Sequence, residues 1–456
     1  MEPFPLVATG ITRRISVPRF LWKRRNLLKF LEEINEWVGD YAEVKVGRQT
    51  IVVVKHPDLV QQLLAVYSAK TTKGRSAERQ RFFSFLGDGL LNSEGESHRR
   101  QRRLVLSAFH RSRIAGYGRV MVESAHAGTA GWQNGEVRDL AAEMMKLTLA
   151  IVGRALFSSS VVDGGSSDMV ATGFRDMVGH LNHLVFPGAT WVLRSPLPFA
   201  RRIRHAKAQL DDGVYALIRD RRKSSVDTGD LLSTLLLAED AERPGERLSD
   251  LEVRDQVMTF FFAGQETTAN ALTWIWWLLT RHPKTEAALH AELAYVLNGR
   301  DPAFSDIDQL TLTNQIVTEA LRLYPPVWTL GRQTLAEIDL GGHVVPSGSL
   351  VLASQWLLHR DPRWFADPAV FRPERWTPEF RSSLPRFAYF PFGGGPRSCL
   401  GEIFAWTEIV IVVATVAQHW RFIATSDSST VRPLPRITLG PDRPVHLAIH
   451  RIERKS

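Results

Sequence analysis

The chain has 456 residues, of which 44% are hydrophobic and 23% charged, proportions that exclude a disordered or fibrous protein. A single cysteine excludes an intramolecular disulfide and any metal site built from several cysteines, and it favours a reducing compartment. The formal net charge of +9 comes with several basic clusters, for which a nucleic-acid or membrane surface is the alternative to solvated helix faces. No nucleic-acid motif accompanies them, so we expect solvated helix faces and no nucleic-acid partner.

The N-terminal segment lacks the features of a signal peptide or a membrane anchor, because Pro3, Pro5 and Pro18 break up its apolar runs. Two runs rich in β-branched residues surround "GRQ" within residues 42–56, and this arrangement predicts a β-hairpin. Pro57 is then expected to begin a helix, since proline is favoured in the first helical turn.

Helical periodicity dominates the following part of the chain, where apolar residues recur at intervals of three and four. The pattern predicts helices within residues 97–110, 140–157, 210–223, 283–297 and 309–324. The polar stretch 239–250 is expected to form a loop.

The longest apolar stretch, Val257–Leu279, is long enough to cross a bilayer but contains Gln265, Glu266 and Asn270. A carboxylate near the middle of a membrane-spanning helix costs about 2.5–3.5 kcal/mol. We therefore expect a buried helix with a functional group of polar residues, in a soluble protein without a membrane anchor.

The last third of the chain has a different texture, with more glycine, proline and short alternating runs. It predicts short strands within 341–355, an irregular arginine- and aromatic-rich stretch at 359–376, a long helix within 402–420 and strand-like pieces within 431–450. No stretch has the composition of a linker between domains. The expected fold class is mainly α with small β-sheets, in a single domain that spans residues 1–456.

Cys399 lies just before the last predicted helix, where free N–H groups and the helix dipole stabilise a thiolate. Gly393, Gly394 and Gly395 would let the backbone approach a flat ligand, and Arg397 offers a cation nearby. An inert buried cysteine is one alternative. A cysteine hydrolase is another, but it would need a histidine partner that the sequence does not locate. No phosphate-loop motif is present.

The stretch "FGGGPRSCLG" has the pattern F-x-x-G-x-R-x-C-x-G, and in it the chain resembles the soluble bacterial cytochromes P-450, which are haem-thiolate monooxygenases. The resemblance implies the P-450 fold, with a long central helix over haem b (iron protoporphyrin IX). It implies that Cys399 is the axial ligand of the iron, and that Phe392, Gly393, Arg397 and Gly401 belong to the haem-binding turn. An axial thiolate pushes electron density toward O–O cleavage.

The stretch "AGQETT" lies within the long apolar helix. A threonine there can bond back to an upstream carbonyl and open a groove, although a tolerated polar patch between packed helices is the alternative. The stretch is similar to the oxygen-binding motif of the same family. That resemblance implies that Glu266 and Thr267 are catalytic and relay protons to dioxygen, while Ala263 and Gly264 leave room beside the haem.

Glu319 and Arg322 share one face of a predicted helix, and alone they would be read as an ordinary surface ion pair. Together with Arg375 in "RPERW" they resemble the E-R-R triad of the family. The resemblance implies a structural role, which is to hold the irregular stretch beneath the cysteine loop. His359 is likewise expected to be structural.

Cations that would hold the two carboxylates of haem are also implied by the resemblance. The family usually has W-x-x-x-R in an early helix, and here "HRRQR" has His98 in place of tryptophan and Arg102 in place of the arginine. Histidine and indole can both donate a hydrogen bond to a carboxylate. Arg332 resembles the second arginine of this kind and Arg397 the third.

The resemblance implies an enzyme that inserts one oxygen atom from O2 into a C–H bond of a hydrophobic small molecule, such as a fatty acid, terpenoid or steroid. Phe260, Phe261 and Phe262 make an apolar pocket plausible, although helix packing explains them equally well. The resemblance implies that the segment 82–91 also lines this pocket. A peroxide-driven enzyme would be expected to lack the acid–threonine pair, and a haem or lipid carrier would need no proton relay.

Electrons are expected from a separate ferredoxin and its ferredoxin reductase, because no flavin or nicotinamide fingerprint follows the haem motif. Ferredoxins are acidic, so the basic cluster 98–103 is a candidate docking patch, with a solvated helix face as the alternative. The enzyme is expected to act as a monomer in the cytoplasm.

Overall fold

The computed structural model describes residues 9–16, 26–74, 86–157, 195, 197–224, 227–240 and 242–452. The predictions about the first residues of the chain, about Pro18 and about residues 82–85 of the pocket segment lie outside these ranges. Within them, helices predominate and the strands are short, which confirms the predicted fold class.

The helices are labelled α1 to α13 and the strands β1 to β15, in chain order through the described residues. The helices span Leu27–Asn35, Pro57–Gln61, Gly95–Leu106, Arg111–Thr129, Leu140–Phe157, Pro198–Ser224, Leu231–Leu237, Asp250–Arg281, Pro283–Leu297, Thr311–Leu323, Gln355–Leu358, Pro378–Ser383 and Glu402–Ala417. The strands span Gly10–Ile15, Tyr41–Val46, Gln49–Val54, Thr71–Thr72, Val137–Asp139, Glu239–Asp240, Arg243–Arg247, Leu330–Thr334, Ile338–Leu340, His343–Val345, Leu350–Ala353, Trp420–Ala424, Pro433–Pro435, Leu439–Pro441 and His446–Arg451.

Local signals set several helix ends. Pro57 begins α2 as predicted, and Pro283 begins α9, which ends where Asn298 adopts a left-handed conformation with φ of 46°. The long helix α8 begins before the apolar stretch, because Ser249 and Glu252 form a capping box that satisfies the free N–H groups of its first turn. Its polar first two turns therefore belong to the helix.

The prediction of a loop at 239–250 is wrong. Strands β6 and β7 form an antiparallel hairpin there, and the stretch ends in the first residue of α8. Charge pairing rather than apolar alternation stabilises the hairpin: Arg247 pairs with Glu239 at 2.5 Å, and Arg103 of α3 reaches Asp240 at 3.1 Å. Because its residues are polar and largely exposed, no hydrophobic pattern reveals these strands.

The largest sheet has the strand order β1-β2-β3-β11-β8-β4, and it joins the start of the chain to its last third. The predicted hairpin is confirmed as the antiparallel pair β2–β3. Strand β3 pairs in parallel with β11, which pairs antiparallel with β8. This sheet therefore fixes the position of Arg332, which lies in β8.

Helix α8 lies in the main hydrophobic core and packs most extensively against α5, with further contacts to α6, α10 and α13. It is buried on nearly all sides, as expected for a helix with apolar residues all round. Phe260, Phe261 and Phe262 belong to this core. Among the described residues, no helix has both the length and the apolar character needed to span a bilayer.

Candidate functional site

Cys399 lies in a tight loop before α13, and its N–H donates a hydrogen bond to the carbonyl of Phe392 at 2.9 Å. Gly393 and Gly395 have positive φ values of 73° and 69°, which other residues rarely adopt. A Cβ at Gly395 would lie 2.1 Å from the carbonyl oxygen of Leu64. At Gly395, therefore, the glycine lets the protein backbone, rather than a ligand, approach the loop closely.

The Cys399 side chain is exposed on one side, yet surrounding protein desolvates the thiol and raises its pKa to about 11. A hydrogen bond from the Gly401 N–H and the charge of Arg102 both lower the pKa, but burial outweighs them. The hydrogen bond from the start of α13 thus acts in the direction that the sequence predicts, toward the thiolate, while desolvation acts against it. A metal ion bound here would have to displace the thiol proton.

Cations from four separate parts of the chain gather around His98. Burial, followed by the charges of Arg397, Lys73, Arg102 and Arg332, lowers the pKa of His98 to about 3, so the ring is neutral at physiological pH. The structure therefore brings together His98 and the three arginines that the sequence singles out. Lys73 was not identified from the sequence, because "TTKGRS" matches no motif.

Two of these arginines brace the cysteine loop. Arg102 donates to the carbonyl of Ser398 at 2.9 Å and to its hydroxyl at 3.3 Å. Arg397 donates to the carbonyl of Ser93 at 2.7 Å and pairs with the carboxylate of Glu94. Both side chains thus tie the loop to α3 and to the segment before it.

These groups fit haem, which carries an iron and two carboxylates. A cysteine thiolate is an established ligand of haem iron. Glu94 accepts hydrogen bonds from the Arg397 side chain and from the backbone N–H of Lys73, and four cations lie near His98. The carboxylates of haem would supply the further negative charge.

Phe392 and Gly401 flank the cysteine. The ring of Phe392 packs edge-on against Trp406 of α13, with 6.5 Å between the centroids. Gly401 is the N-cap residue of α13, and a Cβ there would lie 3.6 Å from the ring of Phe109. Phe109 in turn contacts Phe260 of α8, with 5.1 Å between centroids, so the cysteine loop and α8 share packing partners.

The stretch "AGQETT" of α8 begins at Ala263, which is exposed although Phe262 and Gln265 near it are buried. The hydroxyl of Thr267 donates to the Ala263 carbonyl at 2.6 Å, which is the predicted back-bond. Gly264 faces α5, since a Cβ there would lie 3.0 Å from a methyl group of Val152. Glycine at 264 therefore allows α5 to pack closely on α8.

Glu266 is half-buried and does not share a hydrogen bond with Thr267. Its carboxylate accepts the hydroxyl of Thr438, which in turn accepts a hydrogen bond from the Asn270 amide at 2.9 Å. Burial raises the pKa of Glu266, while the Thr438 hydrogen bond and the charge of Arg436 lower it. Sequence reasoning missed Thr438, which lies 172 residues further along the chain.

The described end of the pocket segment docks on the first turns of α8. The Asp88 N–H donates to the carboxylate of Asp255 at 2.7 Å, and the Leu90 N–H donates to the Gln256 side chain at 3.1 Å. Gly89 permits this approach, since a Cβ there would lie 2.3 Å from the hydroxyl oxygen of Thr259. Residues 86–91 are thus held against α8 by backbone hydrogen bonds.

The predicted E-R-R triad is confirmed, and it is not a surface ion pair, because Glu319 and Arg322 are fully buried and the Arg375 side chain is nearly so. Arg322 donates two hydrogen bonds to the Glu319 carboxylate, each at 2.8 Å, and Arg375 donates a third at 3.0 Å. The Arg372 N–H and the Trp376 indole complete the set at 3.0 and 2.8 Å. Five donors thus satisfy one buried carboxylate.

His359 connects the triad to the cysteine loop. Arg322 donates to the His359 carbonyl at 2.8 Å, and the ring Nε2 accepts the Phe390 N–H at 3.0 Å. Burial, reinforced by nearby arginines, lowers the pKa of the ring, which is therefore neutral. The Phe390 carbonyl then accepts the Gly393 N–H at 2.9 Å. The structural role expected for His359 agrees with these contacts.

The basic cluster 98–103 carries less net positive charge than its sequence indicates. Three of its arginines pair with carboxylates: the exposed Arg99 with Glu96, and the half-buried Arg100 and Arg103 with Glu252 and Asp240. These pairs match the alternative of a solvated helix face. They also reduce the attraction that the cluster would exert on an acidic partner.

Comparison with known proteins identifies relatives along nearly the whole chain. The cytochrome P-450 family model matches residues 12–447. Cyclooctatin synthase of Streptomyces melanosporofaciens is 40% identical and aligns with 92% of this chain and 91% of its own length. Cyclooctat-9-en-7-ol 5-monooxygenase of the same organism is 39% identical over 92% of this chain and 88% of its own. Pentalenene oxygenase of Streptomyces avermitilis is 35% identical over 98% of both chains.

The fold is also that of a solved member of this family. The crystal structure of the cytochrome P450DA heme domain superposes with a TM-score of 0.85 at 26% identity, covering 98% of this chain and 99% of that one. Haem is the cofactor indicated by the single cysteine, by the surrounding cations and by the family match. The chain therefore belongs to the cytochrome P-450 family, and the protein is a haem-dependent monooxygenase.

Proposed function

We propose that the enzyme hydroxylates a cyclic terpenoid, inserting one oxygen atom from O2 into a C–H bond of that substrate. The observation that carries this proposal is the pair of relatives named for cyclooctat-9-en-7-ol and pentalenene, which are 39% and 35% identical to this chain over most of its length. The names describe an alkenol and an alkene, molecules with few polar groups. The buried phenylalanines of α8 are compatible with such a substrate.

The haem is proposed to be bound by residues from four parts of the chain. Cys399 would ligate the iron, and the cation cluster would hold the carboxylates. The full proposed set is His98, Arg102, Ala263, Arg332, Phe392, Gly393, Arg397, Cys399 and Gly401. Gly264, which the sequence also singles out, faces α5 and is not included. Haem, when bound, supplies the activation of O2 and the oxygen insertion.

Glu266 and Thr267 are proposed to manage protons on the substrate side of the haem. A half-buried carboxyl with a raised pKa binds and releases a proton closer to neutral pH than an exposed carboxyl does. The Thr267 hydroxyl, held on the Ala263 carbonyl, can pass a hydrogen bond onward from a fixed position.

The assignment of Cys399 is tested by the carbon monoxide spectrum of the reduced protein. We expect a thiolate-type Soret band for the wild-type protein and its loss in Cys399→Ala, with Ser398→Ala as a neighbouring control that retains it. A wild-type protein without this band after haem is supplied would refute the assignment.

The substrate class is tested by following the spin state of the haem during titration with candidate ligands. Cyclic terpenoid alkenes and alkenols are expected to shift the spectrum at micromolar concentrations, whereas fatty acids and steroids of similar size are not. Tighter binding of a fatty acid or a steroid would overturn the proposed substrate.

The role of Thr267 is tested with a ferredoxin, its reductase and NADH. Thr267→Ala should consume NADH but release hydrogen peroxide in place of product, while Thr267→Ser should behave like the wild type. If Thr267→Ala formed as much product per NADH consumed as the wild type, the proposed role of Thr267 would be refuted. Activity with peroxide alone, and none with ferredoxin, would instead show a peroxide-driven enzyme.

We further propose that the enzyme is a single-domain monomer in the cytoplasm that receives electrons from a ferredoxin. The single cysteine supports a reducing compartment. The absence of a flavin or nicotinamide fingerprint in the sequence supports an external donor. Size-exclusion chromatography with light scattering tests the monomeric state. An assay that contains the reductase and NADH but no ferredoxin should give no turnover.

A further inference from the structure

The turn at residues 436–438, between β13 and β14, is fixed against α8 and its neighbours. The indole of Trp274 in α8 donates to the Leu439 carbonyl at 3.1 Å, and the indole of Trp328 donates to the Arg436 carbonyl at 3.1 Å. A Cβ at Gly440 would lie 3.1 Å from the Asn270 side chain, so glycine permits this close approach. The turn is therefore held in a fixed position beside Glu266.

The hydrogen bonds of this contact form one consistent chain when Glu266 is ionised, because a carboxylate only accepts. Thr438 and Asn270 are only 5% and 6% exposed, so water does not compete for their polar groups. The Asn270 amide donates to the Thr438 oxygen, which leaves the single hydroxyl hydrogen of Thr438 to be donated to Glu266. Three side chains thus form a short chain of hydrogen bonds that ends on the carboxylate.

We propose that Thr438, supported by Asn270, is a positioning residue that holds the Glu266 carboxyl toward the turn at residues 436–438 and favours its ionised form. This inference rests on the proposed role of Glu266 in proton delivery. Neighbouring residues on a helix point about 100° apart, so α8 alone does not orient Glu266 relative to Thr267. The contact with Thr438, in the turn between β13 and β14, orients the Glu266 carboxyl.

The electrostatics around Glu266 agree with this role. Burial favours the protonated acid, while the hydroxyl of Thr438 and the exposed Arg436 on the same turn favour the carboxylate. A group between these opposing influences can release a proton and then be protonated again. Without Thr438, the acid would retain its proton more firmly.

The test uses Thr438→Val, which keeps the shape and removes the hydroxyl, with Thr438→Ser as the conservative rescue. The carboxyl band of Glu266 is identified in the infrared spectrum of the full-length protein as the difference between wild type and Glu266→Gln, and is titrated with pH. A hydrogen bond to a charged group is worth enough to shift a titration by about one pH unit. Thr438→Val is expected to raise the midpoint by about that amount, and Thr438→Ser to restore it.

A second measurement uses the haem-loaded enzyme with its electron donors. The pH dependence of the ratio of product to hydrogen peroxide is expected to move in the same direction in Thr438→Val and to return in Thr438→Ser. A merely structural role would lower activity without moving this profile. If Thr438→Val does not fold, Thr438→Ala provides the same comparison.

An unchanged infrared midpoint in Thr438→Val would overturn the proposal, and so would a shifted midpoint with an unmoved coupling profile. The infrared titration involves no turnover, so it distinguishes failure of this contact from failure of the proposed oxygenase reaction.

Discussion

Replacing Arg375 by alanine would measure how much the buried triad stabilises the protein. The side chains of Arg375 and Glu319 are 6% and 0% exposed, so their ion pair is shielded from water. The substitution also removes hydrogen bonds to the carbonyls of Ala366 and Asp367. Breaking one side of a buried ion pair typically costs about 3–5 kcal/mol. We expect a loss near the lower end, about 3 kcal/mol, because Glu319 keeps its hydrogen bonds from Arg322.

Arg372→Ala is the matched control, three residues away in the same short stretch. Its ion pair with Asp367 joins side chains that are 45% and 61% exposed, and such pairs are worth about 0–1 kcal/mol. The N–H of residue 372, which donates to Glu319, is kept. Urea unfolding followed by circular dichroism should show a midpoint shift for Arg375→Ala at least about three times that of the control. Equal shifts would refute the reasoning from burial.

Three further outcomes follow from the site and its surroundings. Gly395→Ala should lower the free energy of unfolding by about 2–5 kcal/mol, through a backbone clash and left-handed strain, and it should prevent haem uptake. Gly348→Ala, where the added methyl group lies in open space, should lower it by only about 1–2 kcal/mol, as measured by urea unfolding. Burial raises the pKa of Glu408 well above its usual value, so the contribution of this group to stability should fall as pH rises above about 4.3. The thermal midpoint of Glu408→Gln should therefore exceed that of the wild type by more at pH 8 than at pH 5. Arg102→Ala should transfer its haem to a scavenging protein several-fold faster than the wild type, and the exposed control Arg99→Ala should not.

Local signals explain why much of the helical framework was predictable. Helix α9 has the predicted bounds, because proline suits its first turn and Asn298 adopts the left-handed conformation that ends it. The cysteine loop and the triad were identified by short patterns of residue types at fixed spacing. In each of these cases the decisive interactions lie within one turn or within one recognisable motif.

The parts that were missed depend on distant residues. Thr438 contacts Glu266 across 172 positions, and Arg397 pairs with Glu94 across 303, so no window of sequence contains both partners. The hairpin of β6 and β7 is stabilised by charge pairs from its own strands and from α3, without apolar alternation. Desolvation of the cysteine thiol likewise depends on the packed structure and not on the motif.

The pairing of β3 with β11 has a consequence for synthesis of the chain. Val52 cannot meet Val351 until the ribosome has made about three-quarters of the protein, and closing so large a loop is slow. During translation the early β2–β3 hairpin must wait with one edge open, in the state in which unpaired strands are most prone to associate with other chains. Yield on expression should therefore depend on how fast the last third emerges and on chaperones that cover this edge.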